Sequence, residues 1–273
     1  MTNTGPIPNI SGDQAKDYLW LNLRDLPYFR AILRAVEARF YQDFKLPQPV
    51  LDVGCGDGHF ASVAFDQPLD VGVDPWGGPI RQAARSGGYR SLVQADGGKM
   101  PFPDGYFASA ISNSVLEHIP HVEAVLAETA RVLRSQAMFL FCVPNPRYLT
   151  DLSIPSLLKK IGLTGVGEAY RRWFRNMSRV EHAAPPQVWQ RWLEGAGFHL
   201  ENWWHYFSPA SMRALEWGHY LGAPTLISYA LFGRWIIVPQ RWNLAVTERL
   251  VRPYSQPVSH PDGTFTFFIA RKV

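Results

Sequence analysis

The run Val50-Leu51-Asp52-Val53-Gly54-Cys55-Gly56-Asp57-Gly58 is where residue type and spacing first suggest chemistry. A short apolar strand enters a glycine-rich turn. Glycine lets the chain turn sharply into a helix and lets a ligand approach the backbone with no Cβ in the way. Such a turn would also suit a dinucleotide, but the third glycine of G-x-G-x-x-G would fall at His59. The next apolar run, Val71-Gly72-Val73, ends at Asp74. An acid roughly 20 positions after the glycines is placed to accept both hydroxyls of a ribose. A third run delivers Ala95-Asp96, whose carboxylate can accept a hydrogen bond from an adenine amino group. Taken singly, these are turn glycines, a helix N-cap and a turn former. Taken in order, at successive strand ends, they describe an adenosine pocket.

The elements that must position these groups alternate. Asp13 to Phe44 carries two apolar stretches at helical spacing, ended by Pro47 and Pro49. Strands are expected at 50–53, 69–73, 91–95, 107–112 and 137–143, with helices near 79–86 and over 121–133 between them. This order implies parallel strands joined by right-handed crossovers, with ligands at the strands' carboxyl ends. After Pro144-Asn145-Pro146 a Trp- and Arg-rich, mostly helical region runs to about Pro257, with a strand at 198–207, and a final strand is expected at 264–270. The expected organisation is N-terminal helices (1–48), a ligand-binding core (49–146), a helical lid or substrate region containing one core strand (147–257), and the last core strand (258–273).

Asp52 to Gly58, Val71 to Asp74, Gln94-Ala95-Asp96, Leu116-Glu117-His118-Ile119 and Arg131-Val132-Leu133 resemble the successive motifs of class I S-adenosylmethionine-dependent methyltransferases of the type 11 group. The resemblance covers about the first half of the chain and, weakly, its last strand. It implies a doubly wound, mostly parallel, seven-stranded α/β sheet with a helical, aromatic-rich insertion. It further implies S-adenosylmethionine as cofactor, with Asp52, Gly54 and Gly56 at its methionine end, Asp74 at the ribose, and Asp96 with Gly97 at the adenine. Pro75 and Trp76 would lie beside the adenine ring, and Ser112 and Asn113 would border the methyl group. One departure stands out. The family commonly has glycines after Arg-Val-Leu, where this chain reads Arg134-Ser135-Gln136-Ala137, which bears on the geometry of a turn remote from the cofactor.

Methyl transfer from a sulfonium needs alignment and exclusion of water, and a base only if the acceptor atom carries a proton. His118 is the first candidate for that base, ahead of Glu117, His121, His182 and His205. No compact metal-ligand spacing is present, so no metal is expected. The acceptor is expected to be a small hydrophobic molecule, lipid- or quinone-like, covered by a lid containing Trp173, Phe174, Trp189, Trp192, Trp203, Trp204, Tyr206, Phe207, Trp217, Tyr220, Tyr229, Phe232 and Trp235. Trp217 to Gly233 lacks Asp, Glu, Lys and Arg yet is too short and interrupted to span a bilayer. Peripheral membrane contact through 213–240 is one use for it, and packing onto the sheet or a second subunit is the other.

The remaining composition bounds rather than names. With 273 residues, 47% hydrophobic and 18% charged, the chain can bury a sizeable core. Two cysteines in apolar contexts give no disulfide framework, and Met1 to Ser11 lacks the apolar run of a secretory signal, so a cytoplasmic location is expected. The net charge of +4 is concentrated between Arg147 and Arg191, where eight bases face three acids. It lies in no nucleic-acid recognition module, so nucleic acid is not expected as a partner. A nicotinamide-dependent oxidoreductase and a non-catalytic adenosyl-ligand scaffold are the competing readings.

Overall fold

The computed structural model describes residues 16–273. Met1 to Ser11, and the start of the helical stretch at Asp13, lie outside the described residues. Seven strands, β1 (Val50–Val53), β2 (Leu69–Asp74), β3 (Tyr89–Gln94), β4 (Phe107–Asn113), β5 (Leu133–Pro144), β6 (Phe198–Tyr206) and β7 (Phe265–Lys272), form one sheet. Their order is β3-β2-β1-β4-β5-β7-β6. β1 to β5 pair in parallel, and β7 runs antiparallel between β5 and β6. The order reverses between β1 and β4, and such a switch point opens a crevice at the carboxyl ends of the strands.

Among the described residues twelve α-helices surround the sheet: α1 (Tyr18–Leu23), α2 (Tyr28–Tyr41), α3 (His59–Ala64), α4 (Gly77–Ser86), α5 (Val122–Val132), α6 (Arg147–Thr150), α7 (Ser153–Lys160), α8 (Thr164–Ser178), α9 (Pro186–Gly195), α10 (Pro209–Leu221), α11 (Pro224–Phe232) and α12 (Arg241–Val251). Strand parity decides the two cores. Leu140 and Cys142 of β5 with Phe265, Phe267 and Ile269 of β7 face α1, α2 and α3. Phe139, Phe141 and Val143 with Phe268 and Ala270 face α5 and α9. Apolar residues on both faces are what a covered parallel sheet requires. Phe141 and Phe268 stack at 4.8 Å on one side, and Trp204 and Phe267 at 4.8 Å on the other.

Two expectations change. Arg134 to Ala137, read as a turn, is part of β5. The pairing with β4 shifts between Phe107 and Ser109, and the extra length is absorbed there. Gln136 takes φ +64° in the left-handed region, doing without the glycine usual in the family, and its carbonyl accepts a 2.9 Å bond from Arg271. The aromatic residues of the second half also do not form one lid. Phe174, Trp189, Trp204, Tyr206 and Phe207 are buried in the cores, whereas Trp173, Trp217, Tyr220, Tyr229 and Phe232 are exposed. Composition concentrates these residues in one region, but sheet parity and helix faces sort them.

Candidate active site

A cleft of about 810 Å³ opens at the switch point, lined by Asp52, Gly54, Gly56, Asp74, Pro75, Trp76, Asp96, Gly97, Asn113 and His118. Its volume is in the range of small-molecule sites. The glycine turn is built for close approach. Gly54 and Gly56 have φ of +81° and +56°. A Cβ on Gly54 would meet Val115 Cγ1 at 2.2 Å, so the turn and the loop after β4 close on each other only because this residue has none.

Asp74 ends β2 with both carboxylate oxygens engaged. Oδ2 accepts from the Gly56 N–H at 3.1 Å and Oδ1 from the Trp76 N–H at 2.9 Å. These bonds fix the carboxylate's plane and still leave lone pairs toward the cleft. Trp76 is 71% exposed at the rim, an open aromatic face. Asp96 lies further along, its Oδ1 accepting from Gly98 N–H at 2.8 Å. Asp52 is buried and accepts a 2.5 Å bond from the Tyr89 hydroxyl. Burial pushes its carboxyl up to about 7, against the opposing Tyr89 bond and Arg34 charge. It is therefore poised to ionise when a cation arrives.

Of the candidate cofactor contacts, Ser112 is the one the structure places outside the cleft. It is fully buried, its Oγ donates to the Val53 carbonyl at 2.8 Å, and it does not line the cleft. Asn113 does, with its side chain turned inward to Glu37 at 2.9 Å. Among the histidines considered, His118 lines the cleft. His182 instead donates to the Ile119 and Pro120 carbonyls, and His205 sits between Asn145 and Thr266.

The helix before β1 supplies groups that sequence reasoning did not reach. Arg30 and Arg34 of α2, with Leu26 just before it and His59 and Phe60 of α3, also line the cleft. Arg34 pairs with the fully buried Glu37 at 2.9 Å. The Arg30 guanidinium has no carboxylate partner within salt-bridge distance among the described residues, and burial lowers its pKa. A cation so placed invites an anion from a ligand. The cover also differs from the expected aromatic lid: Met177, Ser178 and Arg179, at the end of α8, close the cleft. Arg175 pins that turn by donating to the Val180 and Glu181 carbonyls at 3.0 and 2.9 Å.

A family model described as "Methyltransferase domain" matches residues 51–141, the stretch that carries the glycine turn, Asp74, Asp96 and His118. Over that stretch the chain carries a methyltransferase domain of the class I S-adenosylmethionine-dependent kind. It is similar to a malonyl-[acyl-carrier protein] O-methyltransferase of Legionella pneumophila, 30% identical over 112 residues that make up 39% of each protein. It is also similar to a fatty-acid O-methyltransferase of Mycolicibacterium smegmatis, 37% identical over 105 residues, 36% of this chain and 38% of that one. The matches thus span about two fifths of these curated relatives. A geranyl diphosphate C-methyltransferase of Streptomyces coelicolor superposes with a TM-score of 0.54 at 14% identity, covering 91% of this chain and 84% of that one. The chain therefore shares its sheet architecture with that structure well beyond the matched domain.

Proposed function

We propose that this methyltransferase moves the methyl group of S-adenosylmethionine to a small hydrophobic acceptor, lipid- or quinone-like. The single observation that carries the reading is the row of groups along one cleft: a buried acid at Asp52, the Gly54–Gly56 cradle, Asp74 held in plane by two backbone N–H groups, and Asp96 beyond it. When bound, the cofactor supplies an electrophilic methyl on a sulfonium, whose C–S bond breaks with the electron pair returning to sulfur. Asp52 would hold its ammonium and Arg30 its carboxylate. Asp74 would accept from the ribose hydroxyls, Asp96 Oδ2 from the adenine amino group, and Trp76 would cover the ring. The Met177–Arg179 turn would exclude water. His118 donates through Nδ1 to the Arg179 carbonyl at 2.8 Å, which leaves the Nε2 lone pair free. Burial lowers its pKa, so it is neutral near pH 7 and offers an exit for an acceptor's proton.

The charge state of Asp52 provides a test. Its carboxyl, pushed up to about 7, is largely protonated at pH 6.5. An ammonium beside it favours the ionised form, so binding must release a proton there. Calorimetric titration at pH 6.5 in two buffers of different ionisation enthalpy should show release of roughly half to one proton per cofactor, and none in Asp52→Asn. Equal enthalpies in both buffers would remove Asp52 from the ammonium site.

An apolar acceptor is supported by the relatives' acyl substrates and by the surface beside the cleft. The whole of α11 contains no buried residue, with Ile227 64% and Leu231 69% exposed. From Trp217 to Thr247 there is no acidic residue, and Arg234 and Arg241 flank the apolar run. An apolar helix edged by Trp and Arg suits the interface of an anionic bilayer. It borders the cleft mouth, since Tyr229 and Trp235 stack at 4.5 Å and Trp235 lies 6.0 Å from the Arg30 guanidinium. No helix of the described residues is long and apolar enough to cross a membrane. The proposal predicts co-sedimentation with phosphatidylglycerol-containing vesicles at low salt, reduced about tenfold or more by Ile227→Glu with Leu231→Glu. Absence of the unaltered protein from the vesicle pellet would remove the membrane contact.

A further inference from the structure

A second, smaller cleft of about 150 Å³ continues from the first, sharing Arg34, Ser114 and His118 with it. Phe29, Leu33, Leu215 and Phe265 make its apolar wall. Glu117, also in its lining, is 3% exposed. Its Oε2 has no hydrogen-bond partner, and its Oε1 lies 3.8 Å from His118 Nε2. Arg34, whose charge acts on it, is already engaged by Glu37. Leaving a buried carboxyl oxygen unpaired costs about 1–3 kcal/mol, a cost that a ligand's donor removes.

We infer that this cleft seats the acceptor, and that Glu117 Oε2 takes the proton from a phenol or enol hydroxyl on an apolar molecule as that oxygen is methylated. The inference rests on the methyl-transfer reading above and deepens it by naming the acceptor's class. The hydroxyl oxygen forms its bond to the methyl carbon and the C–S bond breaks toward sulfur. The O–H electron pair stays on oxygen and the proton goes to the carboxylate. When the methylated product leaves, the carboxyl returns the proton to water entering the cleft beside the half-exposed His118. Burial pushes the Glu117 carboxyl up to about 8, so its conjugate base is far better matched to a phenol than an ordinary carboxylate. Arg30, Arg34 and Glu37 from α2, and Tyr148 and His219 across the cleft, are the charged or titratable groups around it. Arg179 and Glu181 act on His118.

The sequence places Glu117 and His118 in one turn, and the structure stitches that turn to the end of α8. The Glu117 carbonyl accepts from the Glu181 and His182 N–H groups at 2.9 and 3.0 Å. Glu117 and His118 thus sit on a braced backbone, which fixes both side chains relative to the cleft.

The test uses the full chain saturated with S-adenosylhomocysteine, with 4-butylphenol and its methyl ether as probes. Calorimetry should show the phenol binding at least about tenfold tighter than the ether, since only the phenol can donate to Oε2. Glu117→Gln should bind S-adenosylhomocysteine normally and the phenol within about threefold. It should methylate the phenol at least roughly a hundredfold more slowly, and it should lose the rise in rate that the unaltered protein shows as pH passes 8. Failure of the phenol to bind the S-adenosylhomocysteine complex would overturn the acceptor cleft, as would a Glu117→Gln protein with an unchanged pH profile. Failure to bind S-adenosylhomocysteine itself would instead overturn the reading of the main cleft, and the acceptor inference with it.

Discussion

Asp74→Ala should weaken S-adenosylmethionine binding by at least about a hundredfold. The carboxylate would lose charge-assisted bonds to two ribose hydroxyls, each worth about 1.5–3 kcal/mol. It would also leave the Gly56 and Trp76 N–H groups without the acceptor they now share, at 3.1 and 2.9 Å. The second loss loosens the glycine turn and moves the rim indole, so the methionine and adenine ends would both feel it. Asp74→Asn keeps one neutral acceptor but turns its NH2 toward the Gly56 or Trp76 N–H, and should cost at least about tenfold. Calorimetric titration of the three proteins decides the matter, with thermal denaturation as a check on folding. Asp74→Ala affinity within threefold of the unaltered protein would show that the ribose lies elsewhere.

Gly54→Ala should be strongly destabilising. Its φ of +81° disfavours any side chain, at about 1–2 kcal/mol. Its Cβ would stand 2.2 Å from Val115 Cγ1, and overpacking of this kind costs typically 1–3 kcal/mol more. At roughly 2–4 °C per kcal/mol for a chain of this size, Tm should fall by about 10 °C. The cofactor should bind at least about tenfold more weakly, because the cradle must open to admit the methyl. Adding Val115→Ala should recover part of the stability, since it removes the contact and leaves the backbone strain. An unchanged Tm in Gly54→Ala would contradict the described closure between the glycine turn and the loop after β4.

The strand ends were legible because local signals define them. Apolar runs, turn glycines and the acids at 52, 74 and 96 all follow one another along the chain, and each reads without knowledge of what lies across the sheet. Arg30 and Arg34 were not legible. Four residues apart on α2, they look like a solvated helix face, and only the crossing of that helix over the switch point turns them into the cleft. His118 could be singled out by its place after β4. Its partner, the Arg179 carbonyl, is 61 residues away, and no periodicity connects the two. Ser112 was misplaced by one step of strand parity: its Oγ points to the Val53 carbonyl rather than the cleft. The aromatic half misled through composition. Trp189 is fully buried and Trp217 is 47% exposed, and nothing in the residue type separates a core indole from a surface one.

The most direct test of the central claim is calorimetric titration of the unaltered chain, freed of carried-over ligand, with S-adenosylhomocysteine and S-adenosylmethionine, using NADH as control. One site per chain that takes both adenosyl ligands and leaves NADH unbound is the predicted result. Binding of NADH in place of the adenosyl ligands would contradict the account.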